Sequence, residues 1–166
     1  SSMKKIISII LIIISINSVG CSSKNISNNE INKMKETIEK VLFYEKSYDD
    51  EVSDYIDEKT FNECNYEVFY SYFIGKVKFT KYESEVKSIL RAGNNYTICM
   101  VLNMEAKGTE LQSDGIDEGY DCVEGKDVPI EVILKKEGEN YVIKKVKEYT
   151  SLEEAQNENE GFKKNK

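Results

Sequence analysis

The chain has no histidine and no tryptophan, and Pro129 is its one proline. Without histidine, Ser–His–Asp and Cys–His nucleophilic schemes are closed to it, as are His-ligated zinc, iron and copper sites. General acid–base work would fall to carboxylates or tyrosines. Cysteines are few: Cys21, Cys64, Cys99 and Cys122, with no CxxC pair and no metal-ligand spacing. Positive charge is also scarce, 23 Lys and Arg against 30 Asp and Glu, a formal net charge of −7. That balance disfavours a nucleic-acid partner, whose affinity comes largely from phosphate neutralisation, and electrostatic adhesion to anionic lipid. Long apolar runs are absent but for one, Ile6 to Ile16, broken only by Ser8 and Ser15.

That run sets the organisation of the chain. Met3 is followed by Lys4 and Lys5, then by the apolar run, then by Asn17-Ser18-Val19-Gly20 and Cys21. A positive start, an apolar stretch of about ten residues and a small-residue exit read as a secretory signal, too short for a spanning helix. Ser1 and Ser2 precede Met3 and are set aside as an expression remnant. Val19-Gly20-Cys21 resembles a bacterial lipobox, with Ser18 where leucine is usual. The resemblance implies that Cys21 is lipidated and holds the protein to the extracytoplasmic face of a cell membrane through acyl chains. The expected division is therefore 1–20 remnant and signal, 21–29 lipidated cysteine and Ser/Asn-rich tether, 30–150 folded domain, and 151–166 polar tail. With Cys21 acylated, three thiols remain. Either one bridge forms with a thiol left over, or none forms. Cys99, in a β-rich run, is expected to be buried as a small hydrophobe, and Cys122 to be exposed.

Periodicity then gives the elements. Ser27 and Glu30 make a capping box opening a helix over about 28–47, with Ile31, Met34, Ile38, Val41 and Leu42 on one face. Asp49-Asp50-Glu51 favours the start of a short second helix carrying Val52, Tyr55 and Ile56. Asp57 caps a third, carrying Phe61, Cys64, Val68, Phe69, Tyr72 and Phe73 and ended by Gly75. The aromatics Phe69, Tyr70, Tyr72 and Phe73 are expected to pack on a sheet, with a ligand pocket as the alternative. From Lys76 the period changes to two. Val77 and Phe79 alternate, then Tyr82, Ser84 and Val86 in the opposite phase, so a bulge is predicted near Thr80-Lys81. Gly93-Asn94-Asn95 is a turn, Tyr96 to Met104 a second strand, Gly108 to Asp127 a long loop, and Ile130 to Leu134 a third strand. Pro129 suits only a strand start or an edge. A turn at Glu137-Gly138-Glu139-Asn140 leads to a fourth strand, with a further bulge between Ile143 and Val146. Ser151 to Glu154 is a capping box opening a marginal helix, and Asn157 to Lys166 reads as a disordered tail.

The long loop holds the densest candidate site. Asp114, Asp117, Glu118, Asp121, Glu124 and Asp127 are interspersed with Gly115, Gly119 and Gly125, a composition able to wrap an oxygen-seeking cation such as Ca²⁺. Ile116 and Gly119 fall where an EF-hand would need ligands. A solvated acidic hairpin loop is the competing reading.

Helices followed by about four long bent antiparallel strands make an α+β order. It resembles the cystatin-like roll of the nuclear-transport-factor-2-like superfamily, and most of all the small lipoproteins of Gram-positive bacteria within it. The resemblance rests on the opening amphipathic helix, on Gly93-Asn94-Asn95-Tyr96-Thr97-Ile98, and on the hairpin run from Pro129 to Ile143. It implies N-terminal helices packed on a curved antiparallel sheet. It also implies a lipid-anchored binding domain with an extracellular protein partner or small ligand, and it brings no catalytic residues. Two alternatives stand beside it: a small enzyme using Asp and Tyr in the cone of the roll, and a component of a conjugation or secretion assembly.

Overall fold

A computed structural model of the chain describes residues 26–113 and 118–163. The signal segment, Cys21, Asp114 and Asp117 lie outside the described residues. Helix α1 is Asn28–Leu42, α2 Glu58–Cys64 and α3 Tyr66–Ile74. Strands β1 (Val77–Ala92), β2 (Asn95–Ser113), β3 (Glu118–Glu137) and β4 (Asn140–Glu148) follow, then α4 (Leu152–Glu158) and a 3-10 turn, Glu160–Phe162. The class is α+β, with one antiparallel sheet in the order β1-β2-β3-β4. No described helix is long and apolar enough to cross a membrane.

Helix α1 begins as its sequence predicts. Ser27 Oγ accepts from the Glu30 N–H, and the Glu30 carboxylate accepts from the Ser27 N–H, both at 3.2 Å. Met34, Ile38, Val41 and Leu42 are fully buried on one face. The helix stops at Leu42, short of the predicted end near residue 47. Phe43 instead stacks on Tyr66 and Tyr82 and meets Phe79 edge-on. Burying that ring outweighs one more helical turn.

The predicted second helix does not form. The Asp49 carboxylate accepts from the Tyr44 hydroxyl at 2.6 Å and 2.7 Å, and from the Glu51 N–H at 2.9 Å. This side chain competes with the helical backbone and sets consecutive turns instead. Val52 and Ile56 still bury, and Ile56 bridges to Ile143 of β4.

The predicted third helix is two, divided at Asn65. Asn65 is buried, with extended backbone at ψ 130°. Its Nδ2 donates to the Val41 and Tyr44 carbonyls at 2.9 Å and 3.0 Å, and its Oδ1 accepts from the Val68 N–H at 2.9 Å. One amide thus closes the C-terminal end of α1 and caps α3. Gly75, at φ +75°, ends α3 in the conformation that favours glycine.

The strands carry the predicted bulges. Register shifts fall between Phe79 and Lys81 in β1 and beside Lys144 in β4, both where the hydrophobic phase changes. The inner face of the sheet presents Tyr96, Ile98, Met100, Leu102, Met104, Ile130, Val132, Leu134, Tyr141 and Ile143 to α1 and its neighbours in one core. Pro129 lies within β3 rather than at its start. There the Tyr149 N–H donates to the Pro129 carbonyl at 3.0 Å, and proline has no N–H to return the bond. Strand β4 ends at this point and leaves the rest of β3, toward Glu118, without a β4 neighbour.

Helix α1 also fixes which end is which. Glu30, near its start, meets Lys136 at 3.7 Å and the Tyr141 hydroxyl at 3.4 Å, beside the Gly138 turn. The Lys136 N–H donates to the Asn94 carbonyl at 2.8 Å, which brings the Gly93 turn to the same end. The other end of α1 meets α3 through Asn65. A helix of 15 residues is about 22 Å long, so Ile26 and α3 stand at opposite ends of the domain.

The C-terminal segment is a correction. Residues 157–163 were expected as part of a disordered tail, yet they fold onto the outer face of the sheet. Cys99, Val101, Tyr149, Ala155 and Phe162 form a second apolar cluster there. Asn159 Nδ2 donates to the Tyr149 hydroxyl at 3.3 Å and bonds the Glu131 carboxylate, and Asn159 Oδ1 accepts from the Gly161 N–H at 2.9 Å. Polar composition hid two buried apolar side chains, Ala155 and Phe162, which suffice to hold a short segment.

Two outcomes are expected from these contacts. Asn65→Ala leaves two carbonyls and one N–H without their partner, and urea denaturation is expected to show a loss of about 2–4 kcal/mol. A loss under about 0.5 kcal/mol, the level of an ordinary surface change, would contradict the double cap. At Gly161 an added Cβ would stand 2.6 Å from Ser88 Oγ and 2.7 Å from Cys99 Sγ. Gly161→Ala is therefore expected to lift the 3-10 turn and speed iodoacetamide labelling of Cys99, while labelling of Cys122 stays unchanged.

Candidate functional site

Among the described residues the inner face of the sheet offers no polar centre. Met34, Ile38, Leu42, Ile98, Met100, Leu102 and Met104 fill it. Thr37 and Asn65 are the only buried polar or charged residues, tyrosine aside, among those described, so no described Asp or Glu is buried. Tyr96 has its hydroxyl buried without a hydrogen-bond partner among the described residues, beside Tyr141 at a ring separation of 5.4 Å. Among the described residues no carboxylate lies within the core for an acid–base pair.

The acidic stretch takes a different form from the predicted loop. Strands β2 and β3 run on as a hairpin through it, pairing Leu111 with Tyr120 and Lys107 with Cys122. Glu118 opens β3 opposite Ser113. Asp121, Glu124 and Asp127 then lie along a strand that rises about 3.3 Å per residue, so they are spread out rather than wrapped around one point. Among the described residues no group of three or more Cys, Asp or Glu is arranged to hold a metal ion. The structure does bring Glu124 and Asp127 to one rim, because a register shift between Leu102 and Met104 bends the hairpin there. Asp127 sits in that bulge at φ +50°, its N–H donating to Asn103 Oδ1 at 2.9 Å.

The rim belongs to a groove under α3. Asn65 restarts the helical phase, and the restart decides which aromatics bury. Tyr66 and Tyr70, one turn apart, face inward. Phe69, Tyr72 and Phe73 face out, at 50%, 84% and 71% exposure, against the expectation that they pack on the sheet. The Phe69 and Phe73 rings contact each other edge to face at 5.3 Å. Three exposed aromatics on a helix of nine residues are a large apolar surface with nothing over it among the described residues.

Two open lobes flank Phe69, sharing Tyr66, Phe69 and Glu148 as walls. The larger, about 660 Å³, continues over Tyr70, Val128, Pro129 and Leu152, with Glu124, Lys126 and Asp127 on its rim. The smaller, about 230 Å³, is closed by Glu63, Cys64 and Val146. Glu148 stands at the end of β4, held by the Tyr66 hydroxyl, which donates to Oε1 at 2.8 Å. Burial, then the charge of Glu148, pushes the Tyr66 phenol well above its ordinary range, so it remains a proton donor to that carboxylate. Sequence reading missed this groove, because Tyr66, Val128, Glu148 and Leu152 belong to four separate elements. The available signal was Asn65, an N-cap residue type directly before an aromatic run.

The three described thiols are free, with Cys99 buried, Cys122 exposed and Cys64 between. Burial pushes the Cys99 thiol up to about 11 and the Cys64 thiol to about 12. The fold therefore holds these protons more tightly than the unfolded chain, whose thiols titrate near 8.5. Their contribution is intact below that pH and is lost as pH rises from there toward about 11–12. The urea midpoint is expected to fall steadily on the alkaline side, with a shallower fall in Cys99→Ala. Equal slopes for the two proteins would contradict a buried protonated thiol at Cys99.

Comparison with protein-family models, curated proteins and solved structures finds no match to this chain, so the chemistry of the groove and the N-terminal sequence carry the functional reading.

Proposed function

We propose that this chain is a lipid-anchored, extracytoplasmic interaction domain of a Gram-positive bacterium, attached through Cys21, with α3 and its groove as the face that meets a protein partner. Within that reading the helices and four-stranded meander form a cystatin-like roll. The leader supports the anchor: Lys4 and Lys5, the run Ile6 to Ile16, and Val19-Gly20-Cys21. The exposed aromatics Phe69, Tyr72 and Phe73 support the recognition face.

One observation joins the two. The described residues begin at Ile26, at the end marked by the Gly93 and Gly138 turns, and α3 is at the other end. Four residues lie between Cys21 and Ile26, and five Cα-to-Cα steps reach at most about 18 Å. An acylated Cys21 would hold the turn end against the membrane and direct α3 toward the aqueous side. The aromatic face would then serve a partner outside the membrane rather than the bilayer itself.

The deciding experiment is the intact mass of the membrane-associated protein, expressed with its leader in a Gram-positive host. The expected mass is that of the chain from Cys21 to Lys166 plus a diacylglyceryl group, with or without a further acyl chain. An uncleaved chain, or a cleaved and unmodified one, would remove the anchor.

A further inference from the structure

We infer that the groove under α3 binds a cationic segment of a protein partner, one that seats an apolar side chain against Phe69 with lysine or arginine beside it. This rests on α3 being the recognition face and adds the chemistry of what is recognised.

The walls decide the apolar half. Tyr66, Phe69, Tyr70, Val128 and Leu152 line a lobe of about 660 Å³ that is open at the surface, room for an aromatic or branched side chain. Phe69 is half-exposed and stands between both lobes, so a side chain laid on its ring would shield it from water.

The rim decides the cationic half. Glu63, Glu124, Asp127 and Glu148 face the two lobes, against one base, Lys126. None of these four carboxylates makes an ion pair among the described residues, although the fold forms such pairs elsewhere, as Lys136 does with Glu30. The Glu148 carboxylate is already oriented by the Tyr66 hydroxyl, which lowers the ordering cost of receiving a cation. An anionic lipid surface would meet repulsion from the same rim, and so would a second copy of this chain, at a net charge of −7.

The test is amide NMR on the full chain in non-ionic detergent micelles. The probes are acetyl-Lys-Phe-Lys-amide, acetyl-Glu-Phe-Glu-amide and acetyl-Lys-Gly-Lys-amide. Shifts from the first at Phe69, Tyr70, Val128 and Leu152 are expected, with binding of the other two weaker by about tenfold or more. Phe69→Ser should abolish the shifts. The double variant Glu63→Lys with Glu124→Lys should weaken binding by about tenfold or more. Both variants change exposed side chains, and unchanged resonances on β2 verify their fold. No shift with the lysine–phenylalanine peptide, or equal binding of the glutamate peptide, would overturn the inference. So would α3 shifts produced only by phosphatidylglycerol vesicles. Shifts confined to the outer sheet face would instead remove α3 as the recognition face. The anchor is judged separately, by the intact mass.

Discussion

One buried amide sets the geometry on which the site depends. Asn65 receives no water, so each of its polar atoms must find a partner inside the protein or cost about 1–3 kcal/mol. It finds three: the Val41 and Tyr44 carbonyls, where α1 ends, and the Val68 N–H, where α3 begins. The two helices cannot shift independently while those bonds hold. Because Asn65 takes extended backbone, the helical phase starts again at Tyr66, and that single reset puts Tyr66 and Tyr70 inside and Phe69 and Phe73 outside. An uninterrupted helix from Asp57 would have presented another face.

Strand β3 supplies the other wall, and proline sets where it becomes available. As far as Ile130 the strand is covered by β4. At Pro129 the partner receives no N–H, the chain turns away after Tyr149, and the segment from Val128 toward Glu118 has β2 alone beside it. The bulge at Asp127 then bends that segment, which hinders edge-to-edge aggregation of an otherwise open strand. The groove is the space left between the departing β4, the bent β3 and the restarted α3. Its rim is acidic because Glu63 of α2, Glu124 and Asp127 of β3 and Glu148 of β4 converge there, against one base, Lys126.

Much of the fold was legible in the sequence because it depends on local rules. The Ser27–Glu30 box, the change of period at Lys76, the bulge at Thr80, the Gly93 and Gly138 turns and the face from Tyr96 to Met104 all follow from spacing within a few residues. What escaped depends on contacts across the chain. Asn65 reads as an ordinary helical position until Val41 and Tyr44 are beside it, so α2 and α3 merge into one predicted helix. The stretch from Gly108 to Asp127 reads as a loop because its glycines and acids mask pairing partners that lie on the opposite strand. The C-terminal segment reads as polar because Phe162 is a single residue, and its burial requires Cys99 and Val101 on the outer face of β2. The same reasoning explains the site. Glu124 and Asp127 were singled out as acids, but their neighbours Tyr66, Phe69 and Glu148 come from elements that only the tertiary structure brings together.

The position of the aromatics is the least economical feature of the domain and therefore the most informative. Stability alone would favour polar residues on the outer side of α3, since Phe69 and Phe73 contribute little by touching each other in water. The fold has apolar residues to spare elsewhere: its inner core is filled, and a second cluster on the outer face holds the C-terminal segment. Exposed rings beside four carboxylates that make no ion pair among the described residues also make a poor surface for self-association, because two copies would bring like charges together. An apolar patch that is costly in water and rimmed by four carboxylates against one lysine would suit a partner that supplies both the missing apolar contact and the missing opposite charge.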